Sequence, residues 1–176
     1  MALADGPVGM DLGDGGFLTG IDPGRGKFGF AFVAGSGRLL ASGIGRTTDA
    51  PGFFRRFREG DYSWLRPMIL EGTTDCLRNP RYPVICGEGT HRVFFLEAAR
   101  VGGIPVTCAP EAGTTLRARK LYWSLHPPGG LWRMVPLSLR VPPRDIDDLA
   151  AWAIEMKWML QVAGTPEEME DTENGS

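Results

Sequence analysis

The sequence predicts a mixed α/β domain: a five-stranded sheet made of a three-strand antiparallel meander plus two parallel strands, flanked by helices. Three observations predict it. Three short apolar runs near the N-terminus are joined by hairpin-sized turns. Two later apolar runs each end at Gly or Pro and pass into helical spacing. A long amphipathic pattern closes the chain.

The first run, 17–22, ends in Asp22 and turns through "PGRGK" into the second, 28–34. Gly35-Ser36-Gly37 leads to the third, 37–44, because Gly tolerates the positive φ that tight hairpin turns require. Residues 45–61 are rich in Gly, Arg and Asp and read as an irregular connection. Trp64, Leu65, Met68, Ile69 and Leu77 predict a helix over 62–77. "YPVICGEG", 82–89, reads as a buried parallel strand, and a helix over 91–101 follows until Gly102-Gly103 stops it. "IPVTCAP", 104–110, is the second buried strand. Thr114 or Thr115 then caps a helix that Pro127-Pro128 ends. Residues 129–142 are Pro-punctuated and irregular. The strongest helix is "PPRDIDDLAAWAIEMKWMLQVAG". Pro142-Pro143 and Asp145 open it, Leu149, Ala150, Ala153, Ile154 and Trp158 form its apolar stripe, and Gly164 closes it. No internal repeat is visible.

A chain of 176 residues, 43% hydrophobic and 23% charged, suits one globular domain. The expected organisation is a flexible Gly/Asp leader at 1–16, the folded domain at 17–163 and an acidic disordered tail at 164–176. No apolar run is long enough for a bilayer, and the start lacks the basic and apolar regions of a signal peptide. Cys76, Cys86 and Cys108 form no CxxC pair and are odd in number, as expected of a cytoplasmic protein with reduced thiols. The net charge of −2 conceals a segregation. The tail "TPEEMEDTENGS" holds five acids and no base. Residues 112–144 hold Arg117, Arg119, Lys120, Arg133, Arg140 and Arg144 and no acid. One-sign stretches of this kind serve as phosphate-binding surface or as a solvated basic face.

On this frame the acids gather at element ends. Asp22 ends the first strand, Glu88 the fourth, Glu111 follows the fifth, and Asp145, Asp147 and Asp148 open the last helix. Ligands of α/β sheets collect beyond parallel strand ends and near helix starts. Converging carboxylates repel one another, and a hard divalent cation relieves the repulsion. Two such ions about 4 Å apart clamp the attacking and leaving oxygens of a phosphodiester. Each acid alone also suits turn or helix-start chemistry.

"GIDPGRGKFGFAF" resembles the first-strand motif of the RuvC/YqgF branch of the RNase H-like nuclease superfamily, in which an Asp-Pro-Gly turn leads into a strand with Gly-x-Ala. "PEAGTTLRARKLYW" is similar to the YqgF-type segment with an acid, two Thr and an Ala-Arg pair. "DIDDLAAWAI" resembles the last helix of both branches, where Asp145 and Asp148 match a D-x-x-D spacing. The resemblance spans roughly residues 17–163 in element order. It implies an RNase H-like fold and Mg²⁺- or Mn²⁺-dependent cleavage of phosphodiesters, as in Holliday junction resolvases. It also implies that Asp22, Asp145 and Asp148 are metal ligands. RuvC-type proteins take their middle acid from the fourth strand, which maps onto Glu88; YqgF-type proteins take it after the fifth, which maps onto Glu111. Glu88 is the favoured ligand, because the fourth strand adjoins the first. The chain departs from YqgF proteins in its 45–61 insertion and its 126–142 segment.

The expected enzyme is an endonuclease acting on branched DNA or structured RNA. Arg25, Lys27, Thr114, Thr115, Arg117, Arg119 and Lys120 would meet its phosphates, and Tyr122, Trp123 or Trp132 its bases. His91 and His126 are lone histidines better explained without catalysis. Alternatives are a non-catalytic nucleic-acid-binding module of the same fold and a nuclease for ribosomal RNA precursor. The related actin-like ATPases need two such domains. A symmetric junction cutter requires a homodimer with two-fold symmetry, and a processing nuclease does not.

Overall fold

Alternation along the central strands sorts their side chains onto two unlike faces. In a computed structural model, which describes residues 10–13 and 15–164, the sheet has six strands in the order β4-β3-β2-β1-β5-β6. Strands β1 (Phe17–Asp22), β2 (Lys27–Ala34) and β3 (Leu39–Arg46) form the expected antiparallel meander. Strands β5 (Val84–Gly87) and β6 (Val106–Ala109) lie parallel to β1 on its other side. This is the expected five-stranded mixed sheet with one strand added.

The added strand is β4 (Ile69–Gly72), antiparallel to the outer edge of β3. It replaces the second half of the helix expected over 62–77. Pro67 offers no N–H and its ring opposes an α-helix, so Ser63–Met68 closes into a 3₁₀ turn instead. Ile69 onward is then free to pair with an open sheet edge. The connection expected at 45–61 contains a helix, α1 (Ala50–Phe57). Pro51 sits in its first turn and Phe53, Phe54 and Phe57 are buried by it.

One sheet face is aromatic. Phe17, Phe28, Phe30 and Phe32 meet the α1 phenylalanines and Phe95 of α2 (Arg92–Gly102). Many of these rings meet edge to face, including Phe28 with Phe53 at 5.4 Å and Phe17 with Phe32 at 5.4 Å. The other face is small. Gly20 and Gly29 lie under α4 (Asp147–Gly164), and a Cβ on either would meet helix backbone, 2.3 Å from the Ala151 oxygen or 1.9 Å from the Asp147 oxygen. The helix therefore rests directly on the strands. Helix α3 (Thr114–Leu125) packs outside α4 through Ala118 and Tyr122.

Part of the expected leader is tied down: Met10 N–H donates to Gly35 O at 3.0 Å, and Leu12 O accepts from Arg81. Residues 1–9 and Asp14 of that leader, and 165–176 of the expected tail, lie outside the described residues. No helix among the described residues is long and apolar enough to cross a membrane.

Between α4 and the sheet, the fully buried Glu155 has no hydrogen-bond partner for either oxygen. Burial pushes its pKa up from 4.5 to about 8. Between those values the unfolded chain has released a proton that the folded chain keeps. The contribution of this group is full below about pH 4.5 and is lost as pH rises toward 8. Urea unfolding across that window will show Glu155→Gln with a flatter decline in midpoint than wild type; parallel profiles would show that the carboxyl titrates as if in water.

Candidate metal centre

Asp22 reaches the site because β1 ends there and Pro23-Gly24 turns the chain away. Its Cα partner in β2 is Gly29, the residue over which α4 begins. The Thr47 hydroxyl donates to Gly24 O at 2.8 Å and fixes the turn. The carboxylate is largely buried beside two others. Burial, then the charges of Glu111 and Asp147, push its pKa up from 3.8 to about 7, and Lys27 offsets only part of this.

Both candidate middle acids are near, in different states. Glu111 Oε1 accepts from the Gly89 N–H at 2.8 Å, so the loop after β5 holds it toward the end of β1. Burial and the neighbouring Glu88 raise its pKa, against the Gly89 bond. Glu88 itself is exposed. The acid whose charge bears on Asp22 is Glu111, although adjacency of the strands favoured Glu88.

The last helix divides its three acids. It begins at Asp147, so Asp145 precedes it rather than opening it. Lys27 Nζ bridges the two, 2.5 Å from Asp145 and 2.9 Å from Asp147. Asp148, expected as a ligand, is fully buried and faces the other way. It accepts from Ser42 Oγ at 2.7 Å and pairs with Arg144 at 2.8 Å. Arg144 also reaches Glu71 of β4 at 2.7 Å, and Glu71 meets His126 at 2.7 Å. Burial works against both charges, but the bonds to Asp148 and Glu71 raise the Arg144 pKa, and those from His126 and Arg144 lower that of Glu71. Helical phase explains the division. Ile154, seven residues from Asp147, packs on Ile85 and Ala109 of the parallel strands. Trp152, four from Asp148, donates to Gly37 O at 3.0 Å at the β2–β3 hairpin. Asp147 therefore leans toward Asp22, and Asp148 toward β3.

An open cleft of about 620 Å³ lies between the β1–β2 turn, α3 and the start of α4, and none of Glu88, Glu111 and Asp148 lines it. Asp22, Asp145 and Asp147 line it with Lys27, Arg119 and Arg144. Thr115 also lines it, whereas Thr114 is buried and its hydroxyl donates to Glu111 O at 2.8 Å. Arg25 and Lys120 are exposed and Arg117 is half-buried, and none of the three lines the cleft. Sequence reasoning placed Asp147 among the helix-start acids and Arg144 in the basic stretch without giving either a role in the site, and it missed Glu71 and Ser42. The phase of the α4 stripe was the available signal for Asp147. The long-range partners had none.

Among the described residues no three acid, His or Cys groups stand close enough to enclose a metal ion. The donors nonetheless suit a hard divalent cation. They are carboxylates, burial and then their mutual repulsion raise the Asp22 pKa, and a side-chain cation has been drawn between two of them.

No protein-family description and no curated protein matches this sequence. Among solved structures, the chain is similar to the Thermus thermophilus RuvC structure, at 18% identity and a TM-score of 0.45, over 85% of this chain and 97% of that one.

The two neighbouring aspartates should respond differently to neutralisation. Asp148→Asn breaks a buried pair and will cost roughly 3 kcal/mol in urea unfolding. Asp147→Asn removes a partly exposed charge and will change stability by less than about 1 kcal/mol. Equal losses would show that both acids serve the fold alike.

Proposed function

We propose that the chain is a divalent-metal-dependent endonuclease acting on phosphodiester bonds in structured or branched nucleic acid. The observation that carries this reading is Asp22: a carboxylate at a strand end, largely buried, raised to about 7 by burial and two further carboxylates. Such a cluster is unfavourable until a cation joins it. Asp22, Glu111 and Asp147 would hold Mg²⁺ or Mn²⁺. Exposed Glu88 and cleft-lining Asp145 would be available to a second ion. When bound, the ions supply Lewis-acid stabilisation of charge on the phosphate and its leaving oxygen.

The remaining work falls to this chain's own groups. Lys27 and Arg119 border the cleft and would neutralise phosphates flanking the scissile one. Thr115, at the start of α3, adds a hydroxyl beside free helix N–H groups. Arg25, Arg117 and Lys120 would extend the electrostatic track beyond the cleft. Thr114 and Asp148 would act by holding their helices in place. Free Cys76, Cys86 and Cys108 suit a reducing compartment such as the cytoplasm. Cutting a four-way junction symmetrically would need a two-fold dimer.

One observation favours a second reading, a binding module without catalysis. Lys27 already neutralises Asp145 and Asp147, as a permanent internal cation would. The two readings part in one experiment. Wild type and Asp22→Asn are incubated with a four-way DNA junction, a flap DNA and a structured RNA, with Mg²⁺, Mn²⁺ or EDTA. The nuclease reading expects cleavage of at least one substrate that EDTA abolishes and Asp22→Asn reduces at least 100-fold. Metal-indifferent binding with no cleavage would overturn it in favour of the module.

A further inference from the structure

Beside the acidic cleft lies a second hollow that the carboxylate chemistry does not use. It measures about 280 Å³ and is lined by Trp123, Pro128, Gly129, Trp132, Val141 and Pro143. Val141 and Pro143 also line the acidic cleft, so the two hollows share a wall. Trp123 belongs to α3 and Trp132 to a 3₁₀ turn at Gly130–Met134. Trp132 is 57% exposed, an unusual position for an indole with nothing over it.

The hollow is built rather than loose. Arg140 donates through Nε to Val135 O at 2.7 Å and through Nη2 to Arg133 O at 2.8 Å. Trp123 Nε1 donates to Arg140 O at 3.4 Å, which pins the segment back onto α3. A Pro-rich connection thus becomes a clipped platform that presents an indole.

We infer that this hollow receives one unpaired nucleobase next to the phosphate held in the acidic cleft, which makes a locally single-stranded nucleic acid the preferred substrate. This rests on the nuclease reading of the neighbouring cleft and narrows its substrate class. Two features favour a base over an apolar side chain of a protein partner. The hollow sits within residues 112–144, which carry six Arg or Lys and no acid. That field draws a polyanion and gives an apolar peptide no advantage. The walls are flat and apolar, indole and pyrrolidine rings, which suit a π-face of any base and read no base edge. A base inside a regular duplex is stacked on both sides and cannot enter. An unpaired base at a junction, flap or loop pays little to do so.

The test uses a single-stranded 20-nucleotide DNA carrying one 2-aminopurine, and the same strand annealed to its complement, both with EDTA present so that no metal chemistry intervenes. Wild-type protein is expected to quench 2-aminopurine in the single strand and to leave the duplex unquenched. Trp132→Leu should abolish the quenching and weaken single-strand binding roughly tenfold, the scale of one lost base–aromatic stack. Trp132→Phe should restore most of both. Binding without quenching, or Trp132→Leu indistinguishable from wild type, overturns the inference. Circular dichroism of both variants checks folding, and quenching by wild type alone still decides the matter if the Leu variant fails to fold. Metal-dependent cleavage by the same wild-type preparation separates the two levels. Cleavage with no quenching removes only the base site, whereas absence of both cleavage and nucleic-acid binding removes the reading beneath it.

Discussion

The contact between α4 and the glycines of β1 and β2 sets everything that follows. Gly20 and Gly29 leave no side chain between strand and helix, so backbone touches backbone. Contact that close allows the helix one height and one rotation. Rotation is what assigns roles to three acids that sequence presents almost as equivalents. One residue, about 100° of helical phase, separates an aspartate facing a strand end from one sealed against β3. The close seat also has a cost on its own helix, where Glu155 lies beside Gly20 with neither oxygen bonded.

The Arg144 network shows how the added edge strand bears on the cleft. Glu71 belongs to β4, a strand outside the five-stranded core. Through Arg144 it reaches Asp148, and through His126 it reaches the end of α3. Arg144 lies 5.5 Å over the Tyr122 ring as well. The start of α4, the far end of α3 and the sheet edge are thereby fastened at one guanidinium that also lines the cleft. Its five donors let one side chain serve several partners that a lysine could not.

Much of this was legible in the sequence, and the failures have physical reasons. The meander, the two parallel strands and three of the helices announced themselves through local periodicity, which needs no tertiary context. Residues 62–77 misled because their apolar spacing fits a helix while Pro67 forbids one; the sheet edge that rewards a strand there is remote in sequence. Helix α1 hid behind Gly52, Arg55 and Arg56, although its three phenylalanines carry the helical stripe. The candidate site was anticipated as a gathering of acids at element ends, Asp22 among them. Which acids gather was not, because D-x-x-D spacing fits Asp145 and Asp148 without revealing that Ser42, 106 residues before Asp148, takes the second of them.

The unequal faces of the sheet also divide the protein optically. Its core beneath α1 and α2 is built from phenylalanine, which emits weakly, with Trp64 at its margin. The other indoles, Trp123, Trp132, Trp152 and Trp158, belong to α3, α4 and the segment between them. Intrinsic emission is therefore dominated by one side of the molecule. A spectral change during unfolding or ligand addition reports mainly on the cleft and the helices around it, while the aromatic core speaks through Trp64 alone among the indoles, its ring 5.6 Å from Phe53.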